Sequence, residues 1–343
     1  MPRRFRRMLG IAAAVAAALA AGEASAQKTE LLVYTALETD QIKAYLESFN
    51  KMAPDVDVKI VRDSTGVITA KLLAEKANPQ ADAIIGLAAS SMEIFKAEGM
   101  LAAYAPKGVE KLNQRFVDTS KPPMWVGQDV WAATVCYNTV EGQKKGIPKP
   151  ESWKDLTKPV YKGQITMPNP ASSGTGYFDV TAWLQLFGEA NGWEFMEKLH
   201  KNIAVYTISG SKSCTYAATG EFSIGLSLEL RATQWKERGV PIEPIYPREG
   251  LGWDVDTSVI IKKGGDMQAA RRVLDWSISA RAGAIYARQY AIIAQNFDYP
   301  KPPGIPGDIE DRLIANDLSW VSHNRERILS EWRRRFESKS EKQ

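Results

Sequence analysis

Histidine and cysteine are scarce in this sequence of 343 residues, which contains only two of each. The histidines, His200 and His323, are far apart, and no metal-ligand spacing surrounds either of them. Zinc sites are built largely from clustered Cys and His, and a Ser-His-Asp triad needs a histidine as its base. The sequence therefore argues against a zinc protein and against a hydrolase of the triad type.

An excess of one charge sign is also lacking. The formal net charge is +4, and the first 26 residues contain four Arg and one Glu, so the rest of the chain has a formal charge of only +1. Nucleic-acid binding requires a basic face, and the one basic run, residues 333–335, is more typical of a solvated helix end. We therefore expect no nucleic-acid partner.

Long apolar runs are absent after the first 26 residues. Residues 1–26 have the form of a secretory signal peptide, with arginines near the start, an apolar run at 8–22 and a small-residue cleavage site at 24–26. An uncleaved anchor helix is the alternative, but a run of about 15 residues is shorter than the roughly 20 needed to cross a bilayer. We expect a mature periplasmic protein that begins at Gln27.

The two cysteines, Cys136 and Cys214, would then lie in a compartment that permits disulfides. The sequence alone contains no geometry, so two readings stay open. The residues either form one bridge or remain as two unpaired thiols in a core.

Alternating strand and helix patterns open the mature chain. Short apolar runs predict strands and helical spacing predicts helices, in the order 30–35 (strand), 38–53 (helix), 56–61 (strand), 67–76 (helix), 81–86 (strand) and 91–98 (helix). Three such units predict a mainly parallel sheet covered by helices. Ligands in such sheets bind beyond the carboxyl ends of the strands, so residues 35–38 and 87–90 are binding candidates.

A long predicted strand at 130–137 leads into a second region where the β-α alternation repeats, and a strand at 255–262 returns. We therefore predict an α/β fold of two lobes joined by two crossing strands, with the ligand cleft between the lobes. The predicted boundaries place 27–130 and 257–343 in lobe 1 and 131–256 in lobe 2.

The most informative motif is 169–176, which lies between a predicted strand and a strongly helical segment. Ser172, Ser173 and Thr175 offer hydroxyl groups, and Gly174 allows the backbone to approach a ligand closely. Free N–H groups at a helix start, together with the helix dipole, form an anion site without Lys or Arg. The alternative is a plain N-cap in a tight turn. The motif is not a Walker A loop, because no Gly-Lys-Ser/Thr follows.

Further polar residues lie at comparable strand ends. Ser211 belongs to a second polar turn, which is equally typical of a simple N-cap. Glu38, Glu229 and Asp254 are acidic residues near predicted strand ends, and Trp253 adjoins the last of them. Carboxylates and an indole face suit an ammonium group. Each acid alone is more typical of a solvated surface, but together with the anion motif they predict a small zwitterionic ligand.

Three motifs, 33–38, 167–177 and 210–214, resemble the bacterial extracellular solute-binding proteins of ABC importers, a family that includes ferric-iron binders. Within this family the sequence is most similar to the 2-aminoethylphosphonate-binding proteins. The resemblance implies a type II periplasmic binding protein, a monomer that closes two lobes around a small molecule and delivers it to a membrane permease. It also implies no cofactor and no enzymatic activity.

In the iron-binding relatives the Ser-Gly loop holds an anion, and the resemblance carries that role to the matching loop here. The metal ligands do not carry over, because Glu38 stands where those proteins have a histidine and no tyrosines occur at 228–231. The expected ligand is therefore 2-aminoethylphosphonate or a close aminophosphonate. The residues expected to hold its phosphonate are Ser172, Ser173, Gly174, Thr175 and Ser211, with Ser90, Thr35, Ala36 and Leu37 from the facing lobe.

Two alternatives to an aminophosphonate carrier remain at this stage. One is a periplasmic protein that binds ferric iron or another metal through an unfamiliar set of ligands, although the missing His and Tyr argue against it. The other is a secreted phosphonate or phosphate-ester hydrolase. A hydrolase would need a nucleophile with a positioned base or a metal centre, and the two remote histidines supply neither.

Overall fold

Parallel strands covered by helices form the first lobe. In the computed structural model, which describes residues 28–342, the central strand β1 (Thr29–Thr35) lies parallel to β2 (Val56–Arg62) on one side and to β3 (Ala83–Ala88) on the other. All six residues of β3 are buried, as expected for an inner strand with helices on its faces. The predicted signal peptide, 1–26, lies outside the described residues.

Each of these strands leads within a few residues into a helix, so three helix starts lie at the carboxyl edge of the sheet. The helices are α1 (Thr39–Met52), α2 (Thr65–Ala74) and α3 (Ala89–Ala97). Short turns of this kind are typical of β-α units. The edge on which the strands end is therefore the edge at which these helices begin.

Two long antiparallel strands connect the lobes. They are β5 (Val126–Asn138) and β10 (Trp253–Ile261), and every residue of both is buried. β10 pairs with β3 in the first lobe, whereas the second half of β5 pairs with strands of the second lobe. The prediction of two α/β lobes joined by two crossing strands is therefore confirmed.

The second lobe repeats the α/β pattern. The strands of this lobe are β6 (Ile165–Pro168), β7 (Ile203–Thr207), β8 (Ile224–Leu228) and β9 (Ile242–Ile245). The helices of this lobe are α4 (Thr139–Lys145), α5 (Gly174–Phe187), α6 (Glu189–Asn202), α7 (Gly210–Ala218) and α8 (Glu229–Glu237). The main sheet runs through both lobes in the strand order β2-β1-β3-β10-β5-β8-β6-β7. Helices α5, α7 and α8 begin directly after strands or after short loops that follow strands.

The remaining elements are short strands and C-terminal helices. They are β4 (Leu101–Ala102), β11 (Ile292–Ile293), α9 (Gln268–Ser277), α10 (Ala280–Tyr286), α11 (Leu318–His323) and α12 (Arg325–Phe336). Between residues 28 and 342, no helix combines the length and the apolar character needed to span a membrane.

The last helix packs on the second lobe, which differs from the predicted boundary that placed 257–343 in lobe 1. The Trp332 ring lies edge-on to Tyr206 of β7, with ring centroids 4.8 Å apart. After α12, the Lys339 ammonium donates to the carbonyl oxygens of His200 and Ile203, both at 2.6 Å. The buried apolar face of α12 packs against α6 and β7. The helical pattern of the sequence predicts a buried face but does not show which elements cover it.

Candidate functional site

A small cavity of about 50 Å³ lies between the lobes, at the carboxyl ends of the strands. The first lobe contributes the residues that follow β1 and β2, and the second lobe contributes those at the starts of α5 and α7. The wall consists of Ala36, Glu38, Arg62, Ser64, Thr65, Ser173, Gly174, Thr175, Ser209, Gly210 and Leu228. The site is therefore shared by both lobes, as the strand-end argument predicts.

Three helices begin at the cavity wall. They are α2, α5 and α7, whose N-cap residues are Ser64, Ser173 and Ser209, all with extended backbone. The Ser173 hydroxyl accepts a hydrogen bond from the Gly176 N–H at 3.4 Å, whereas the hydroxyls of Ser64 and Ser209 cap no N–H. Three helix N-termini, each with the positive end of its dipole, thus lie at the wall of one cavity, an arrangement that attracts anions.

The two lobes touch directly beside the cavity. The Gly66 N–H donates to the Ser172 carbonyl oxygen at 2.9 Å, which joins α2 to the loop before α5. A Cβ on Gly174 would lie 2.7 Å from the Trp131 ring and 2.8 Å from the Thr65 hydroxyl. These contacts require glycine on each side, and they describe a closed cleft.

The turn after β1 is held by its neighbours. The Ala36 N–H donates to the Gly86 carbonyl at 3.0 Å, and the Thr35 hydroxyl accepts from the Leu37 N–H at 3.0 Å. Gly86 has a φ of 65°, and a Cβ there would lie 2.2 Å from the Leu37 side chain. Of the three predicted residues in this turn, Ala36 lines the cavity, while Thr35 and Leu37 shape the turn from behind.

Arg62, at the end of β2, is fixed by two contacts at the cavity wall. Its Nε donates to the Leu37 carbonyl at 3.0 Å, and its Nη2 donates to Oε2 of Glu38 at 3.2 Å. In the described part of the chain, Nη1 has no hydrogen-bond partner. The guanidinium is therefore oriented by the protein and retains donor capacity for a ligand.

Glu38 is also bound from the opposite lobe. Nη2 of Arg231, on α8, lies 3.2 Å from the same Oε2 of Glu38 and 3.8 Å from Asp40. Within the described residues, Glu38 is the only carboxylate of the cavity wall. The charge of Glu38 is shared between two arginines. This pairing argues against the predicted role of Glu38 as the partner of a ligand ammonium group. The buried Nε of Arg231 lacks a partner in the structure.

The predicted phosphonate ligands divide into two groups. Ser173, Gly174 and Thr175 line the cavity. Ser172 does not line the cavity, and its hydroxyl donates to the Ile208 carbonyl at 2.8 Å. Ser211 lies in the first turn of α7, beyond the cavity wall.

The other predicted acids are buried and do not line the cavity. Glu229 accepts from the Ala132 N–H at 2.6 Å, and burial raises its pKa to about 8. Asp254 accepts from the N–H groups of Ser90 and Val255, at 3.3 and 2.7 Å. Burial raises the pKa of Asp254 to about 6, although these donors oppose the increase. Ser90, predicted to bind the ligand, instead binds Asp254.

Trp253 has partners of its own within the protein. Its indole N–H donates to the Ile314 carbonyl at 2.8 Å, and the Arg115 guanidinium lies 4.9 Å from the ring centroid. The ring face that was predicted to meet a ligand ammonium thus already carries a cation.

Several residues of the cavity wall were missed by the sequence reasoning. They are Arg62, Ser64, Thr65 and Leu228, whereas Ser209 and Gly210 belong to the second polar turn, which the sequence had already indicated. The strand-end rule applies to β2 as it does to β1, so the polar run directly after the predicted strand 56–61 carried the same signal. Arg231 lies two residues after Glu229, and no strand-end pattern in the sequence marked it as a residue near the site.

Cys136 and Cys214 are joined by a disulfide that links β5 to α7. The sequence left this pairing open. Because Gly210 at the start of α7 lines the cavity, the bridge ties one part of the site to a crossing strand.

Neither histidine lies at the cavity. The His200 ring contacts the Tyr206 hydroxyl at 2.9 Å, and His323 contacts Ser319 on the exposed side of α11. Across residues 28–342, no three or more His, Cys, Asp or Glu side chains are arranged to hold a metal ion.

Comparison with known proteins places the chain in a family. A model described as bacterial extracellular solute-binding protein matches residues 78–322. An uncharacterized protein of Haemophilus influenzae is 30% identical over 270 residues, which is 78% of each chain. A probable ABC transporter periplasmic-binding protein of Sinorhizobium fredii is 24% identical over 240 residues, which is 68% of this chain and 66% of the relative. The chain belongs to the bacterial extracellular solute-binding proteins.

A solved structure confirms the predicted periplasmic binding protein fold. The periplasmic binding protein AfuA from Actinobacillus pleuropneumoniae, with fructose-6-phosphate bound, superimposes with a TM-score of 0.84 at 27% identity. The match covers 91% of this chain and 99% of AfuA. The protein is therefore the periplasmic solute-binding component of an ABC transporter.

Proposed function

We propose that this protein binds 2-aminoethylphosphonate or a close aminophosphonate in the closed cleft and delivers it to the permease of its transporter. The observation that carries the proposal is the convergence of three helix N-termini and Arg62 on one cavity of about 50 Å³. A phosphonate head would bind there, held by Ser173, Gly174 and Thr175 from one lobe and by Ser64 and Thr65 from the other.

The chemistry of the wall favours a doubly charged oxyanion. The N–H groups at a helix start carry partial positive charge, and the dipole of each helix adds to it. Arg62 supplies a full charge and a planar donor set that matches phosphonate oxygens. Hydroxyl groups of Ser173 and Thr175 can donate further hydrogen bonds. None of these groups needs to move far, because both lobes already contribute to the wall.

The size and charge of the site support a small zwitterion. A cavity needs about 10 to 15 Å³ to hold one water molecule. The cavity of about 50 Å³ therefore has room for a few water-sized groups. That suits a tetrahedral head with a short tail better than a hexose. Arg62 lies on the wall, and Arg231, beyond the wall, shares the charge of Glu38, so the charge of Arg62 is only partly neutralised and complements a dianionic head.

A sugar phosphate is the second candidate. The similarity to AfuA, solved with fructose-6-phosphate bound, favours it at 27% identity. A sugar phosphate would use the same anion site but would need more room beyond it. A metal ion is disfavoured by the charge of the wall, since its one carboxylate, Glu38, is paired with Arg62 and Arg231. The two histidines, remote from the cavity, offer no general base for a hydrolase.

Isothermal titration of the ligand-stripped protein tests the proposal. The titrants are 2-aminoethylphosphonate, ethylphosphonate, inorganic phosphate and fructose-6-phosphate. We expect one-to-one binding that is tightest for 2-aminoethylphosphonate. Exclusive or tighter binding of the sugar phosphate would replace the proposed ligand but keep the anion site. Absence of binding by every phosphorus compound would overturn the anion site itself.

A double variant tests the residues. Ser173→Ala with Thr175→Val should weaken binding of 2-aminoethylphosphonate by about ten- to hundredfold, because charge-assisted hydrogen bonds contribute about 1.5 to 3 kcal/mol. Thr219→Val is the matched control, since this exposed threonine at the end of α7 bonds only to its own helix. Unchanged affinity in the double variant would contradict the assignment of these hydroxyls.

A further inference from the structure

The chain after α12 returns to the sheet of the second lobe. β7 ends the order of paired strands in the main sheet, so one of its edges remains available for pairing. Ser340 forms a parallel bridge with Tyr206 of β7, and the Glu341 N–H donates to the Tyr206 carbonyl at 2.9 Å. Residues 337–341 therefore extend the sheet at this edge, and we name them the edge segment.

Three consecutive side chains of the edge segment bind the second lobe. They are Lys339, Ser340 and Glu341. The Lys339 ammonium donates to the carbonyl oxygens of His200 and Ile203, both at 2.6 Å, and so holds the edge segment against the end of α6. The other two side chains reach the loops that line the cavity. Covering a strand edge requires backbone pairing alone, so these side-chain contacts point to a further role.

Ser340 binds the residue at which the motif 169–176 begins. The Asn169 side-chain amide donates to the Ser340 hydroxyl at 2.9 Å. The oxygen of the same side chain accepts from the Ala171 N–H at 2.8 Å, and the Asn169 backbone carbonyl accepts from the Ser173 N–H at 2.8 Å. Ser173 is the N-cap of α5 and lines the cavity. Ser340 thus orients the side chain that shapes the loop leading to Ser173.

Glu341 binds the second loop of the site. Its Oε2 accepts from the Ile208 N–H at 3.2 Å, and its Oε1 accepts from the Tyr216 hydroxyl and the Lys212 ammonium, both at 2.6 Å. Ile208 directly precedes Ser209, which lines the cavity. The other two partners of Glu341 lie on α7. One carboxylate therefore joins the entry of this turn to the helix that follows.

The ion pair with Lys212 is only one part of the Glu341 contact. Burial acts to raise the pKa of Glu341, but hydrogen bonds from Lys212, Tyr216 and Ile208 outweigh it and lower this pKa. Glu341 is therefore ionised at neutral pH. An isolated surface ion pair contributes little to stability, whereas a carboxylate with three donors has a defined position. The contact thus determines where the turn before α7 lies relative to that helix.

The two loops also contact each other beside the cavity. The Ser172 hydroxyl donates to the Ile208 carbonyl at 2.8 Å. A Cβ on Gly210 would lie 2.3 Å from the Thr175 hydroxyl oxygen, so the starts of α5 and α7 approach each other closely. A shift of either loop would therefore change the distances among the donors that face an anion. Tight binding depends on donors that are in place before the ligand arrives.

We infer that the edge segment positions the second lobe's part of the anion site. Ser340 acts through Asn169 on the loop before α5, and Glu341 acts through Ile208 on the turn before α7. Within the described residues, the cavity wall includes no residue of the edge segment, so Ser340 and Glu341 are positioning residues. The inference rests on the anion site of the proposed function, and it holds for any phosphorus compound whose head binds there.

The first test removes one contact at a time. Ser340→Ala and Glu341→Ala should each weaken binding of 2-aminoethylphosphonate and of ethylphosphonate alike, by about three- to tenfold, because hydrogen bonds that position the anion site are lost. Titration calorimetry measures the affinities. Differential scanning calorimetry should place the unfolding midpoint of each ligand-free variant within about 3 °C of wild type.

Matched controls come from the edge segment itself. Ser338→Ala removes a hydroxyl, and Glu337→Ala removes the same charge as Glu341→Ala. Both control side chains are exposed, and neither forms a hydrogen bond or ion pair in the described part of the chain. Both variants should therefore bind the two phosphonates as wild type does.

Two further variants distinguish positioning from a general loss of structure. Ser340→Thr retains the hydroxyl and should recover wild-type affinity. In an Asn169→Ala background, Ser340→Ala should cause no further loss of affinity, because its route to the loop is already broken. A persistent loss in that background, or equal losses in Ser340→Thr and Ser340→Ala, would overturn the inference for Ser340.

The outcomes separate this inference from the proposed function. Wild-type affinity in both Ser340→Ala and Glu341→Ala would overturn the inference and leave the proposed ligand intact. If wild type binds fructose-6-phosphate in place of 2-aminoethylphosphonate, the same variants should weaken that binding, and the inference holds although the proposed ligand fails. If wild type binds no phosphorus compound, the anion site and the inference fail together.

Discussion

Gly66 and Ser172 form a backbone hydrogen bond of 2.9 Å across the cleft, from the N–H of one lobe to the carbonyl of the other. A Cβ on Gly66 would lie 2.2 Å from the Ala171 carbonyl oxygen and 2.8 Å from that of Ser172. Both clashes are with backbone of the opposite lobe. The position therefore matters for closure of the two lobes and not for the folding of either one.

Gly66→Ala should separate closure from stability. We expect ligand affinity to fall at least tenfold, because the added methyl group keeps the lobes apart and closure contributes contacts from both sides. The midpoint of thermal unfolding of the ligand-free protein should stay within about 2 °C of wild type. Titration calorimetry and differential scanning calorimetry provide the two measurements.

Gly264→Ala is the control for this experiment, because a Cβ there meets no atom within 4 Å and the backbone is unstrained. Wild-type affinity in Gly66→Ala would mean that the bound form holds the lobes further apart than the described structure.

The ion pair between Arg231 and Glu38 should contribute to holding the lobes closed. Arg231→Gln removes the cross-lobe charge pair at 3.2 Å, so we expect three- to tenfold faster dissociation of the ligand. Arg231→Lys should recover part of the loss, because it keeps the charge without the planar donor set. Stopped-flow dissociation at low and high salt measures the effect, which should shrink as salt screens the pair.

Lys149→Gln provides the comparison, since Lys149 pairs with Glu243 in an exposed position within one lobe. Such surface pairs contribute little, and the variant should dissociate as wild type does. Equal dissociation rates for Arg231→Gln and wild type would remove the ion pair from the closing mechanism.

The fold could be predicted because the local patterns and the global topology agree. The predicted strand 81–86 corresponds to β3 (Ala83–Ala88), and the predicted helix 38–53 corresponds to α1 (Thr39–Met52). Buried parallel strands appear in the sequence as continuous apolar runs. The alternation of these runs with helical patterns along the chain therefore predicts a β-α architecture. The docking of α12 was missed because an amphipathic helix shows that it has a partner without showing which one.

The site was predicted where a motif coincided with a strand end. Ser173 and Glu38 lie on the cavity because they follow strands that end at the same edge. The charge pairing of Glu38 was not accessible, because Arg231 comes from a distant part of the chain. The pairing of Asp129 with Asp256 was missed for a related reason. Asp129 and Asp256 lie inside apolar strands, and only the register of the crossing strands brings them opposite each other.

The disulfide should contribute substantially to stability. It closes a loop of 78 residues, for which loop entropy in the unfolded state gives about 4.5 kcal/mol, within a typical range of about 2 to 5 kcal/mol. The double variant Cys136→Ala, Cys214→Ala should therefore unfold at lower denaturant than wild type. Urea titration measures the difference, and wild type treated with reductant should behave like the variant.

Thiol titration of denatured, unreduced wild type is the check on the bridge itself. No reactive thiol is expected. Two reactive thiols, together with an unchanged unfolding midpoint in the double variant, would show that the purified protein lacks the bond.

The stability of the ligand-free protein should decrease as pH rises through neutrality. Burial raises the pKa of Glu229 from 4.5 to about 8 in the folded state. Between these values the unfolded chain has lost the proton and the folded chain keeps it. The unfolded state therefore gains relative stability as pH increases, and the effect levels off above about pH 8. One such group lowers the free energy of unfolding by about 1.4 kcal/mol per pH unit within this window.

Glu229→Gln should reduce this slope by about one proton, since the amide cannot ionise and still accepts from the Ala132 N–H. Urea unfolding at pH 5.5, 6.5 and 7.5 measures the slope for each protein. Glu243→Gln is the control, because Glu243 is partly exposed and paired with Lys149, and it should keep the wild-type slope. If Glu229→Gln and wild type share one slope, Glu229 is ionised in the folded protein.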